Sequence, residues 1–320
     1  MQKLAFLAPQ RGGVLAPIAL ELATAARGLG TEVTAYSFGE GAERCAAALG
    51  AYGVGELAVL DLDPAALPAP GLAAAIAVDL APSATEALLL PSTYDGRDVA
   101  ARLSARLDRP VLANVVGLAE EEGRLTTEHA VFGGRETVRA RLLDGAPGLY
   151  LVRPKSFEAS PSGGEAARLR QLAAGGTGAS DRARVVAHHV EAQEGPALED
   201  AAIVVSGGRG LGDKEHYQLI EQLAGLLGAA AGASRAVVDA GWTPYARQVG
   251  QTGKTVKPEV YLACGISGAT QHLVGMKGSR HIVAINRDAS APIFSLAELG
   301  IVGDLHEILP RLIAALQARN

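Results

Sequence analysis

Cysteine is nearly absent. The 320 residues carry two, Cys45 and Cys264, too few for a disulfide framework and without the paired spacing of a metal site. A reducing interior compartment follows. A large excess of one charge is missing as well: the formal net charge is −5, which excludes a basic nucleic-acid surface and a polybasic membrane anchor. No apolar run is long enough to span a bilayer, and the Ala-rich stretch 64–78 is broken by Pro64, Pro68, Pro70 and Gly71. The opening MQKLAFLAP enters a strand-like run with neither a signal peptide's charged n-region and cleavage site nor an Arg-rich transit peptide. The expectation is a bacterial cytoplasmic protein with no direct membrane insertion.

Three chemical motifs are also missing. No stretch satisfies Gly-x-Gly-x-x-Gly, which demotes a nicotinamide-dependent oxidoreductase. QVGQTGKT looks like a phosphate-binding P-loop, but Gln248 stands where its first glycine belongs and no strand directly precedes it, so ATP hydrolysis is rejected. His188, His189 and Glu191 invite a metal, yet neighbours on a strand point to opposite faces; no metal is expected.

What is present is 48% hydrophobic residues in alternating strand-like and helix-like segments. KLAFLA, a helix from Val14 to Arg27, TEVTAYSF, a short helix near Glu43, ELAVL, an Ala-rich helix, ALLLP, a helix from Arg97 to Leu107 and VLANVV spell a parallel sheet. GRLTTEHAVFG, ETVRARL and GLYLVRP read as successive strands of an antiparallel edge. Residues 156–180 read as a long surface loop with one helical turn, RVVAHHVEAQ as a return to the first sheet, and 191–200 as a linker. The fold class is α/β with two domains, each a mainly parallel sheet with helices on both faces: a nucleotide-binding-like domain over 1–190 and a Rossmann-like domain over 191–320. In the second, a helix with Leu219, Ile220, Leu223, Leu226 and Leu227 on one face follows AAIVVSGGRGLG, and the last helix packs through Leu305, Ile308, Leu309, Leu312, Ile313 and Leu316.

The candidate site lies in residues 232–286, where AVVDA, EVYLACGI and HIVAIN read as buried parallel strands bordered by small and polar residues. Ligands gather at the carboxyl ends of such strands. GISGATQH suits a phosphate at a helix N-terminus, with Ser267 as N-cap in its absence, and equally suits a plain tight βα turn. Arg209, in its glycine turn, suits a phosphate or ribose, or is a solvated surface arginine.

Several long segments resemble, in order and spacing, the alpha subunit of electron transfer flavoprotein. They are SGGRGLG at 206–212, GASRAVVDAG at 232–241, QVGQTGK at 248–254, YLACGISGATQHLVGMK at 261–277, AINRDASAPIF at 284–294 and GIVGDL at 300–305. The N-terminal half matches only in layout. The resemblance implies an electron carrier rather than an enzyme, with FAD in the C-terminal domain, one per heterodimer with the beta subunit, and AMP expected in that partner. Flavoprotein dehydrogenases, such as the acyl-CoA dehydrogenases of fatty acid beta-oxidation, would donate, and a membrane quinone reductase would accept. Alternatives are a bifurcating relative, with a second FAD replacing the partner's AMP, a nucleotide-binding oxidoreductase, and a nucleotide-binding structural subunit.

By the family's pattern the FAD contacts are Arg209, Ser234, Arg235, Val249, Gly250, Gln251, Thr252, Ser267, Gly268, Ala269, Thr270, Gln271, His272, Asn286, Asp304 and Leu305. No catalytic residue is implied. Reduction places negative charge near the flavin's pyrimidine carbonyl and N1, where a cation or strong donor is stabilising. His272 is the candidate there, Arg235 lies above the ring, Thr252 donates to the N5/O4 edge, and 265–269 with Arg209 meet the pyrophosphate and ribityl. Asn286 and Asp304 take the adenosine end.

Overall fold

The computed structural model describes residues 1–134, 136–143, 147–178, 182–187 and 195–318. The chain divides into two compact units, Met1–His189 and Val190–Asn320.

The described residues of the first unit form eleven strands: β1 (Lys3–Leu7), β2 (Gln10–Arg11), β3 (Val14–Leu15), β4 (Glu32–Phe38), β5 (Glu56–Leu60), β6 (Ala87–Pro91), β7 (Val111–Glu121), β8 (Arg124–Val131), β9 (Glu136–Arg141), β10 (Gly148–Val152) and β11 (Arg168–Gln171). Its main sheet runs β11-β5-β4-β1-β6-β10-β7-β8-β9. Alternation along β1 sets the two layers. Leu4 and Phe6 pack with residues of α1 (Pro17–Leu29) and α2 (Ala46–Gly50), whereas Ala5 and Leu7 pack with α3 (Pro68–Leu80) and α4 (Tyr94–Leu107).

In this unit four segments depart from their sequence pattern. GLYLV is not part of an antiparallel edge: β10 inserts parallel between β6 and β7, and only β8 and β9 extend the sheet antiparallel. The first helix begins at Pro17, a residue whose fixed φ and missing N–H suit a first turn; Val14 instead belongs to the β2–β3 hairpin. The stretch read as a loop contains strand β11, paired parallel with β5. Its charges are bonds rather than loop polarity. Arg170 donates to Glu56 at 2.6 Å and to both Asp79 oxygens at 2.7 and 2.9 Å, and the Tyr36 hydroxyl reaches Asp79 at 2.8 Å. Finally, the described part of RVVAHHVEAQ forms only an isolated bridge, Arg184 with Ala66, and no strand. His188, His189 and Glu191 lie outside the described residues.

The second unit is a five-stranded, wholly parallel sheet ordered β13-β12-β14-β15-β16, where β12 is Ile203–Gly207, β13 Ala230–Ala233, β14 Val260–Cys264, β15 His281–Asn286 and β16 Leu299–Val302. One face packs on α5 (Tyr217–Leu226), α6 (Arg235–Asp239) and α8 (Leu305–Gln317), and the other on α7 (Thr270–Met276). AVVDA is helix α6, not a strand. The strand is the preceding AAGA, fixed by parallel pairing with β12 and by the Ser234 amide bonding Gly207 O at 2.9 Å. No helix among the described residues is long and apolar enough to cross a membrane.

Candidate functional site

Strand order reverses at β12, because the chain leaves it for β13 on one side and β14 lies on the other. An open parallel sheet receives ligands outside the carboxyl ends of its strands at such a point. Ser234 and Arg235 follow β13 directly and so stand at that carboxyl edge. After β12, Gly208 N bonds Cys264 O at 2.8 Å and Gly210 N bonds Gly265 O at 3.0 Å, so the two central strands end in interlocked turns.

A cleft of about 720 Å³ opens over these ends, within the roughly 300–1,000 Å³ usual for small-molecule sites. Arg209 enters it from the turn after β12, and Ser234 and Arg235 from β13. Val249, Gly250, Gln251 and Thr252 come from a loop. Ser267, Ala269, Gln271 and His272 come from the approach and first turn of α7, and Asn286 from the end of β15. Four predicted residues do not line it. Gly268 (φ +87°) packs so closely on Ile293 that a Cβ would stand 2.4 Å from its backbone nitrogen. Thr270 opens α7 and is exposed. Asp304 N-caps α8, accepting from His306 N at 2.8 Å, and Leu305 is core. Ser267 caps nothing; Ala269 is the N-cap of α7, and the Ser267 carbonyl accepts from Ile293 N at 3.0 Å.

The 249–252 loop is held on both sides. Val249 N bonds Ala233 O at 2.9 Å, extending the sheet, and Gln251 N bonds Gln271 O at 2.7 Å, tying the loop to α7. Gln248, buried, donates from Nε2 to Thr252 Oγ1 at 3.0 Å, which leaves the threonine's own proton to donate elsewhere. Tyr245 Oη donates to the Thr252 carbonyl. Asn286 spends its side chain on structure, donating to Ile266 O at 2.9 Å and accepting from Asp288 N at 3.0 Å. Gln248 and Asp239 also line the cleft, and no local sequence pattern marks them, since their roles arise through contacts with Thr252 and Arg235.

Charge in the cleft is unevenly guarded. Arg235 pairs with Asp239 at 3.1 Å, but both side chains are mostly exposed, so water screens the pair. His272 is the opposite case. It is 7% exposed, its Nε2 faces Tyr261 Oη at 3.0 Å, and its Nδ1 is buried without a well-formed hydrogen bond. Burial pushes its pKa down from 6.5 to about 4, slightly opposed by the Val249 backbone. The imidazole is therefore neutral at pH 7, and of the two roles open to it, cation or donor, only the donor remains. Cys264, also sealed from water, has its thiol pushed up to about 12 and is inert.

That depression has a sign. The folded state binds the His272 proton less readily than the unfolded chain, so stability is full above about 6.5 and falls as pH drops toward about 4. At about 1.4 kcal/mol per pH unit the loss approaches 3 kcal/mol. Urea unfolding from pH 7 to 4 is expected to show wild type losing about that much more than His272→Gln. Parallel curves for the two proteins would contradict it.

Among the described residues no group of three or more His, Cys, Asp or Glu could hold a metal ion. Residues 197–277 match the electron transfer flavoprotein FAD-binding domain, and residues 5–177, more than half of the chain, match the electron transfer flavoprotein domain. The electron transfer flavoprotein subunit alpha of Paracoccus denitrificans is 46% identical over 226 residues, 71% of each chain. That of Mycobacterium tuberculosis is 39% identical over 327 aligned residues covering the whole of both. Protein FixB of Clostridium saccharobutylicum is 36% identical over 96% of this chain and 94% of its own. On fold, cleft and these matches together, the chain belongs to the electron transfer flavoprotein alpha-subunit family, and its C-terminal unit is that family's FAD-binding domain.

Proposed function

We propose that this chain is the FAD-holding half of a cytoplasmic heterodimer with an electron transfer flavoprotein beta subunit, one FAD per pair and AMP in the partner. It takes electrons from flavoprotein dehydrogenases such as acyl-CoA dehydrogenases and delivers them to a membrane quinone reductase. The observation that supports this reading most is the cleft at the switch point, where a buried neutral donor with no well-formed bond at Nδ1, two arginines and an anchored threonine hydroxyl converge. When bound, FAD supplies the reversible electron chemistry.

The chain's own residues do the rest. His272 offers an N–H to an acceptor that gains negative charge on reduction, and Thr252 offers its hydroxyl proton from the loop that Gln248 steadies. Arg209 and its glycine turn would hold the pyrophosphate, and Arg235 adds a charge that Asp239 and water diminish. Gly268, Thr270, Asp304 and Leu305 complete the set through the turns and helix starts they occupy. A substrate of its own would call for a poised acid–base pair. The acidic residues of the cleft, Asp239 and Asp288, are instead tied to Arg235 and Ser290.

The test is reduction by a donor. Mixed with an acyl-CoA dehydrogenase and its substrate, the complex with the beta subunit is expected to lose its visible flavin absorbance and recover it on adding a quinone reductase and quinone. A complex that holds FAD yet exchanges electrons with neither protein would overturn the proposed partners.

A further inference from the structure

Tyr261 on β14 lies behind His272 and outside the set of residues assigned to the cleft. Its hydroxyl meets His272 Nε2 at 3.0 Å, its side chain is wholly buried, and the two rings stand edge to face with centroids 6.1 Å apart. A neutral imidazole carries one N–H and one lone pair, and a phenol can donate or accept. Which way this bond runs decides what the other nitrogen, Nδ1, presents.

If Nε2 kept the proton, the phenol would be the acceptor and Nδ1 a bare lone pair buried beside the cleft. The phenol would then need a second acceptor for its own proton. Among the described residues the Tyr261 hydroxyl has no hydrogen-bond acceptor besides His272 Nε2, and buried Ser206, on β12, makes no hydrogen bond through Oγ. The phenol therefore spends its proton on Nε2, since a buried hydroxyl proton left without an acceptor costs more than an unfilled lone pair.

We infer that Tyr261 is a positioning residue that fixes the tautomer of His272, so that the buried imidazole presents Nδ1–H as a donor to the ligand in the cleft. The partner of one ring nitrogen sets the proton on the other, as behind metal-bound histidines. The inference rests on the proposed role of His272 and adds what makes that role possible without positive charge.

The ring nitrogens report the tautomer directly. Long-range proton–nitrogen correlation spectra of the full chain, labelled with nitrogen-15 at histidine, are recorded at pH 7 without FAD and again as the FAD-loaded complex with its beta subunit. Wild-type His272 is expected as the Nδ1–H form in both. Tyr261→Phe is expected to shift the tautomer ratio by about tenfold toward Nε2–H. A wild-type His272 protonated at Nε2 would overturn the inference without any variant. So would a ratio unchanged in a folded Tyr261→Phe. His272→Gln in the loaded complex is the separate check on the underlying role: an unchanged flavin potential there sinks that role, whatever tautomer the spectra show.

Discussion

Replacing Gly275 with alanine is expected to weaken FAD binding about a hundredfold, equivalent to about 3 kcal/mol, while leaving the N-terminal unit folded. Gly275 is buried in α7 where the helix meets the cleft loop: a Cβ there would lie 2.4 Å from Gly250 N and 2.5 Å from Gly250 Cα. Both are backbone atoms of a loop pinned by Ala233 O on one side and Gln271 O on the other. The loop cannot yield alone, and Val256 N, bonded to Gly275 O at 2.8 Å, ties its far end to the same helix turn. Restoring ordinary contact moves helix and loop apart by about 1 Å, an overpacking cost of about 1–3 kcal/mol in stability besides the binding loss. Gly278→Ala is the control, because a Cβ there meets only the Lys257 side chain, at 3.5 Å. Calorimetric titration with FAD in the presence of the beta subunit separates the two. Equal affinities for wild type and Gly275→Ala would remove the helix–loop contact from the site.

His272→Ala is expected to lower the potential of the first electron added to the bound flavin by roughly 60–130 mV. That range converts the roughly 1.5–3 kcal/mol of a hydrogen bond to a charged group at about 59 mV per tenfold. Arg235→Ala should lower it by less, since that guanidinium is two-thirds exposed and already faces Asp239. The ordering follows from burial: a neutral donor sealed from water outweighs a full charge that water screens. Asp239→Asn, which frees Arg235, is expected to raise the potential. Spectroelectrochemical titration of the complex reads all three. A larger effect for Arg235 than for His272 would reverse the assignment of the main stabilising group.

Much of the architecture is written in local pattern. KLAFL, ELAVL, ALLLP and HIVAIN are short apolar runs bounded by turn residues, and each is the strand it reads as. Where pattern misleads, tertiary contact decides. AVVDA is as apolar and β-branched as a strand, while the strand beside it, AAGA, has no β-branched residue; only pairing with β12 separates them. β11 hides because RLRQ is a charged edge segment, stabilised by Glu56 and Asp79 from distant sequence.

The site divides the same way. Turns that small residues mark, such as GISGATQH and GGRGLG, could be found by eye. Gln248, Asp239 and Tyr261 act through other side chains and carry no local signature. Even His272 was legible only as a position: its neutrality follows from burial, which a sequence does not display.

The most direct test of flavin-based electron carriage is the visible absorption spectrum of this chain, co-purified with its beta subunit and followed through stepwise reduction. The account predicts bound FAD that is reduced through a distinct red one-electron stage. A well-folded complex that carries no flavin at any stage would contradict it and leave a nucleotide-binding scaffold in its place.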